Sequence, residues 1–421
     1  MSARPDQSRV LALIYGASGM TFAMRAAMSL ALLDMTRDAS IGMDAAAVGR
    51  LNAQGQIAYA LGKLLGGAGV DVLGGKRALL AVQATMCASF AYMARMRRKS
   101  VGLAAAFALS RFATATLWSA TAVCIRCSCP NSTSALSMGQ VAIRIGASLG
   151  SALSGALLAR TRSWRRLLAA AAVLGGAMAF AAAQLPEGGR APAPLGVRRR
   201  GASLTKALRV AASTPRLLLL YASTALITPT FDLGALLPQM LSDEYGLSDA
   251  AIGSVAGAFT LAAPPAIVAG TLALQLLGAA GRVAFMACAQ AAAVGGYLAL
   301  ARRPPRAAIA PLLVAIGAGG APALSCVPPA WIMRWGGPRA GLFAGLHDVP
   351  GNILATLIYA RAPATVRRGG WPAVLRTYAA HVAAGGCCMA GFLALEAASP
   401  TLSSPFEDAA AAGEAAPSDG P

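Results

Sequence analysis

Ala58-Tyr-Ala-Leu-Gly-Lys63-Leu-Leu-Gly-Gly67-Ala-Gly-Val-Asp71-Val-Leu-Gly-Gly-Lys76-Arg77 reads as one apolar helix with a lysine in its middle, closed by an acid, paired glycines and two bases. A cation near the centre of a bilayer costs about 2.5 to 3.5 kcal/mol on insertion scales. Lys63 is therefore a functional candidate inside a membrane helix. At the helix end Asp71 stands across Gly74 and Gly75 from Lys76 and Arg77. That pattern suits a latch between adjacent helices, because an acid facing two bases can pair while glycines allow a tight turn.

Outward from this stretch the chain stays apolar. Of 421 residues 57% are hydrophobic and 12% charged, with a mean hydropathy of +0.59, a balance outside that of ordinary soluble domains. The chain is read as an all-α, polytopic integral membrane protein. Runs long enough to cross ~30 Å of hydrocarbon at ~1.5 Å per residue fall near 10–33, 46–70, 77–95, 101–125, 136–159, 165–185, 215–240, 250–276, 281–301, 308–332, 339–360 and 375–397. They are expected to be twelve transmembrane helices, since an open strand edge leaves its backbone unsatisfied in lipid. The longest polar interruption carries Arg190, Arg198, Arg199, Arg200, Lys206 and Arg209 and divides the helices six and six. The expected organisation is a short amino terminus (1–9), a six-helix bundle (10–185), a basic linker (186–214), a second six-helix bundle (215–397) and an acidic tail (398–421) too poor in apolar residues to build a core.

The net charge is +20. In a soluble protein that would suggest nucleic acid, but here the bases lie mostly in short loops between apolar helices, so lipid headgroups are the expected partners and nucleic acid is not. The positive-inside rule does not orient the chain, because Arg95 to Lys99, Arg160 to Arg166, Arg302 to Arg306 and Arg361 to Arg376 balance the bases of the other side. The first apolar run, roughly 24 residues from Val10, is too long for a signal-peptide core and is read as the first span. Of the eight cysteines, Cys124, Cys127 and Cys129 cluster and Cys387 adjoins Cys388, but with two histidines in the chain they read as small apolar fillers. Neither a metal nor a cofactor is expected, and no Ser-His-Asp arrangement or phosphate loop suggests an enzyme.

The second-helix segment resembles the lysine-bearing second helix and following loop of the organophosphate:phosphate antiporter family within the major facilitator superfamily. The first helix, Tyr15-Gly-Ala-Ser-Gly-Met-Thr-Phe-Ala-Met-Arg25-Ala-Ala-Met-Ser29-Leu-Ala-Leu, is similar to that family's tyrosine, arginine and Ser-x-Ala pattern. The resemblance implies a two-bundle transporter working by alternating access, expected as a monomer with a cytoplasmic amino terminus and central linker. It implies Arg25 as anion ligand and Lys63 as a supporting base. Chemistry agrees, since a guanidinium stays charged at any working pH and offers forked donors to a phosphate or carboxylate. Both residues also admit snorkelling to the headgroups.

Two departures from the family pattern matter. Where the family carries a fifth-helix histidine this chain has Ile143, and neighbouring Arg144 either takes over that role or is a structural base. In the seventh helix the arginine expected five residues before Asp232 is Ile227, which puts exchange of inorganic phosphate in doubt. Asp232 is open to three readings: pairing with an amino-half base, proton coupling, or a local helix-end hydrogen bond. The expected cavity is lined by Arg25, Lys63, Arg111 and Arg144. His347 and Asp348, beside Pro350-Gly351-Asn352, read either as coupling or gating residues or as a polar pair next to a loop. The expected substrate is a small organic anion, with a phosphorylated metabolite among the options; a proton-coupled carboxylate carrier and a degenerate carrier serving as sensor or scaffold are the alternatives.

Overall fold

The computed structural model describes residues 7–97, 100–129, 133–185, 213–328, 331 and 340–398. The expected basic linker and acidic tail lie outside them almost entirely, and the side chains of Asp71 and Asp232 are also outside the described set.

The described residues are helical, in chain order α1 (Gln7–Arg37), α2 (Ala45–Leu73), α3 (Gly75–Ala94), α4 (Val101–Ser128), α5 (Thr133–Thr161), α6 (Trp164–Ala183), α7 (Pro215–Asp232), α8 (Leu237–Tyr245), α9 (Asp249–Leu261), α10 (Ala263–Leu276), α11 (Ala279–Leu300), α12 (Arg306–Ser325) and α13 (Ala340–Ala398). Nine segments among the described residues are long and apolar enough to cross a membrane. α2 and α3 pack among them as well, against α4 and, for α3, α6.

The ends of these helices follow local chemistry. Asp44 caps α2 by accepting from the Ala47 amide, and Ser100, Ser163 and Ser248 do the same for α4, α6 and α9. The paired glycines after Asp71 make the turn expected of them. Gly74 alone links α2 to α3, at φ +83°, a region that L side chains rarely adopt. A Cβ on Gly75 would stand 2.7 Å from Cys124 Sγ and 2.9 Å from its backbone nitrogen in α4.

Three differences from the sequence expectation have physical causes. The seventh span breaks after Asp232 into a 3-10 turn, Leu233–Ala235, before continuing as α8, whose first turn holds Pro238. The eighth span breaks at Ala262, because Pro264 and Pro265 fit a helix start and not its interior. The last two spans are separate helices that meet in a kink with almost no loop between them: within α13 the break falls at Gly370, φ +66° and ψ −177°, a conformation that suits glycine, with Pro372 opening the next helix.

Helices up to α6 pack chiefly on one another, and those from α7 onward do likewise. The halves meet along α2 with α13 and along α5 with α9. Gly155 and Gly253 mark a close crossing, where a Cβ on either would stand 2.8 Å from the other's Cα. At the end bearing the 38–44 turn, polar contacts tie the molecule together. Arg37 reaches Asp249 at 2.7 Å and Ser242 at 2.9 Å, joining the halves. Asp38 accepts from Trp164 Nε1 at 2.9 Å and from Arg165 at 2.7 Å, and Asp243 accepts from Trp371 Nε1 at 3.2 Å.

Candidate functional site

The cations predicted from sequence converge on a residue the sequence reading passed over. Tyr59 lies one turn before Lys63 on the same face of α2, and its ring is shared by three positive groups. The Arg25 and Arg111 guanidinium carbons are each 5.3 Å from its centroid, and Lys63 Nζ is 5.5 Å from it. All three distances fall within the ~6 Å reach of cation–π attraction. Arg25 also stands 5.6 Å from the Phe22 ring.

Packing explains how α4 comes this close. A Cβ on Gly55 would overlap the Phe107 ring, and one on Gly62 would sit 2.5 Å from the Phe112 carbonyl oxygen. Glycine at these two positions lets α4 lie against α2 and brings Arg111 under Tyr59. Arg111 and Lys63 are buried, at 8% and 7% exposure, so neither snorkels to the headgroups.

No two of the three cations can be more than about 11 Å apart, since each lies within 5.5 Å of one centroid. At an effective dielectric near 20, each pair then repels by at least about 1.5 kcal/mol. A negative charge brought among them relieves that repulsion. The chain supplies one itself: Asp348 of α13 holds Lys63 at 2.6 Å, across the boundary between the halves.

His347 and Asp348 lie inside α13, not beside a loop, and His347 is only 3% exposed. The helix continues past Pro350, where Asn352 Nδ2 donates to the Asp348 carbonyl at 2.7 Å, and Gly351 lets Thr228 of α7 pack close. His347 Nε2 bonds to the Thr224 hydroxyl, its ring meets Tyr221 edge-on at 5.7 Å, and its Nδ1 is 3.4 Å from the Asp348 carboxylate. The Thr224 hydroxyl also lies 3.0 Å from the Leu220 carbonyl.

A small space of about 20 Å³ opens beside the cluster. Arg25, Met28, Ser29 and Leu32 of α1, Asn52 of α2, Met86 and Phe90 of α3 and Phe107 and Arg111 of α4 border it, so each of α1 and α4 brings apolar side chains beside its guanidinium. Arg144 is half-buried on α5 and is not part of this lining. Lys76 is half-buried and Arg77 exposed at the start of α3, at the Gly74 turn and away from the cluster. Ile227, at the position of the expected seventh-helix arginine, is fully buried in an apolar cluster with Leu217, Leu220, Met286 and Met389, and it faces Gly385.

A bundle of long apolar helices in two halves, with buried cations of one half facing a carboxylate of the other, defines a polytopic transport-type membrane protein. A sequence model of the Major Facilitator Superfamily matches residues 11–327, and the chain belongs to that superfamily. The fold is shared with solved structures of the nucleoside transporter NupG (TM-score 0.67, 13% identity, 91% of this chain and 99% of that one), the human organic anion transporter MFSD10 (0.67, 17%, 92% and 100%) and a D-xylose-proton symporter (0.66, 13%, 91% and 97%). No curated protein sequence matches the chain.

Proposed function

We propose that the protein carries a small organic anion across the membrane by alternating access, its halves 10–185 and 215–397 rocking about a site built on Tyr59. The similar structures handle a nucleoside, an organic anion and a sugar with protons, so the fold alone does not choose a substrate. Charge favours the anion. The observation that carries the reading is the convergence of Arg25, Lys63 and Arg111 on one ring, with the Asp348 carboxylate of the other half bound to Lys63. The apolar Ile227 leaves the second half without the arginine that shared phosphate recognition would use, which favours an organic anion over inorganic phosphate.

Counterflow of radiolabelled phosphate, glycerol phosphate, a sugar phosphate and a carboxylate in proteoliposomes tests this reading. Flux of at least one organic anion, lost in folded Arg25→Ala, is the expected result. Unchanged flux in Arg25→Ala, or none with any anion in folded wild type, overturns it.

His347 favours a second reading, in which transport is coupled to protons. His347 stands between the Thr224 hydroxyl of α7 and the Asp348 carboxylate, with Nδ1 3.4 Å from the latter. A proton delivered to this Asp348–His347 pair would weaken the hold on Lys63 and release that cation for the substrate. His347→Gln should then remove any dependence of flux on a proton gradient while exchange without a gradient persists.

A further inference from the structure

One face of α2 forms the seam with α13. Gly49, Gln56 and Lys63 follow one another at intervals of seven residues on α2, so they share that face. A Cβ on Gly49 would stand 2.9 Å from Pro363 Cγ and 3.2 Å from the Tyr359 carbonyl oxygen, and Lys63 Nζ lies 2.6 Å from the Asp348 carboxylate; all three partners are on α13. Gln56 sits between these two contacts, level with the stretch from Asp348 to Tyr359, and is 0% exposed. Neither Nε2 nor Oε1 of its amide has a hydrogen-bond partner among the described residues.

Other polar groups on the seam are matched: Lys63 meets the Asp348 carboxylate, and Asn352 Nδ2 donates to the Asp348 carbonyl. A primary amide shut away from water without partners loses its hydration and gains nothing in exchange. That penalty belongs to the closed seam, because an amide reached by water recovers its bonds. The halves are closed at the end bearing the 38–44 turn, where Arg37 holds Asp249, Gly155 meets Gly253 and Gly49 meets Pro363. Gln56 lies about 10 Å deeper than Gly49 along the same seam, so parting of the halves at this end lets water reach it. The ion pair and the amide act in opposite directions, one favouring closure and the other opposing it.

We propose that Gln56 sets the balance between the two access states: its unpartnered amide penalises the arrangement closed at the 38–44 end and keeps the arrangement open at that end populated. The second arrangement comes from the alternating-access reading, on which this proposal rests. It requires no particular substrate and no free cation in the Tyr59 cluster.

The test is the distance between spin labels on Ala39 and Ala307, exposed residues at that end of the two halves, in the full chain in nanodiscs with the native cysteines replaced by alanine throughout. Gln56→Met keeps an unbranched side chain and a high helix propensity while removing both amide groups. The ratio of the short to the long distance should rise about five- to thirty-fold over the parent. If the parent shows the short distance alone, the melting midpoint decides, and it should rise, because the folded state carries the same penalty against the unfolded one. An unchanged or lower ratio, or in the single-distance case an unchanged or lower midpoint, overturns the proposal, since it means that the amide is satisfied in the closed arrangement; a variant that does not fold counts as a lowered midpoint. No substrate is present, so failure here leaves the anion-carrier reading standing, and absence of anion flux leaves this result standing.

Discussion

Replacing Asp348 with asparagine removes the charge that holds Lys63 without changing side-chain size. The Lys63 side chain is 8% exposed and that of Asp348 is 33% exposed, with 2.6 Å between their charged atoms. Truncating one partner of a fully buried pair costs about 3–5 kcal/mol, whereas exposed pairs contribute about 0.2–1 kcal/mol. With one partner a third in solvent, a coupling of about 2 kcal/mol is expected between these limits. Asp348→Asn and Lys63→Met should each destabilise the protein, and the double variant should recover most of the loss. Denaturant titration of the four proteins in mixed micelles measures this coupling. The same change should raise affinity for an organic anion about ten-fold, roughly 1.4 kcal/mol, because the ligand no longer competes with Asp348. Additive destabilisation within about 0.5 kcal/mol, together with unchanged anion affinity, would refute the view that this carboxylate occupies the place of a substrate charge.

Tyr59→Phe keeps the ring but removes the hydroxyl that bonds Lys63, and should weaken anion affinity about two- to ten-fold, whereas Tyr59→Leu also removes the ring shared by three cations and should weaken it further; equilibrium binding of an organic anion separates the two. At the crossing of the halves, Gly155→Val places side-chain atoms where the Gly253 backbone lies, so spin labels on Ser40 and Ser248 should report longer separations than in the parent, and an unaltered distance distribution would count against a tight closure there. The Asp38 carboxyl is held well below the usual carboxylate range by hydrogen bonds from Ser40 and Trp164 and by the Arg165 guanidinium. A depressed folded-state value contributes stability above the unfolded pKa, lost only as pH falls through the folded one. The difference in melting temperature between wild type and Asp38→Asn should therefore stay flat from about pH 8 to pH 5, and a steady decline across that window would show that the network does not hold the charged form.

Much of the architecture was legible because bilayer thickness converts apolar run length into helix count, and composition alone placed the chain in a membrane. Arg25, Lys63 and Arg111 were legible as well, since a cation within a hydrocarbon run is conspicuous by its cost. Tyr59 was not, although its position four residues before Lys63 puts it on the same helical face. A half-buried tyrosine is ordinary in a membrane helix, and only the approach of α1 and α4 makes this one a hub. His347 and Asp348 drew attention beside a Pro-Gly-Asn break that suggests a loop. In the fold the helix passes through that break, with Thr228 packed against Gly351 and Asn352 Nδ2 donating to the Asp348 carbonyl.

By itself the sequence determined that the chain crosses a membrane many times as helices, that it carries isolated cations at depth, and that Gly74 can turn the backbone between two of those helices. These follow from hydropathy, charge and backbone sterics, which act over a few neighbouring residues. Only the tertiary structure decided that Lys63 is bound to Asp348, 285 positions away along the chain, that Ile227 faces a core and not a cavity, and that the guanidiniums share their space with aromatic rings. Each of these depends on which helix faces meet, which is set by side-chain volume and by glycines such as Gly55 and Gly62, and not by any local pattern in the chain.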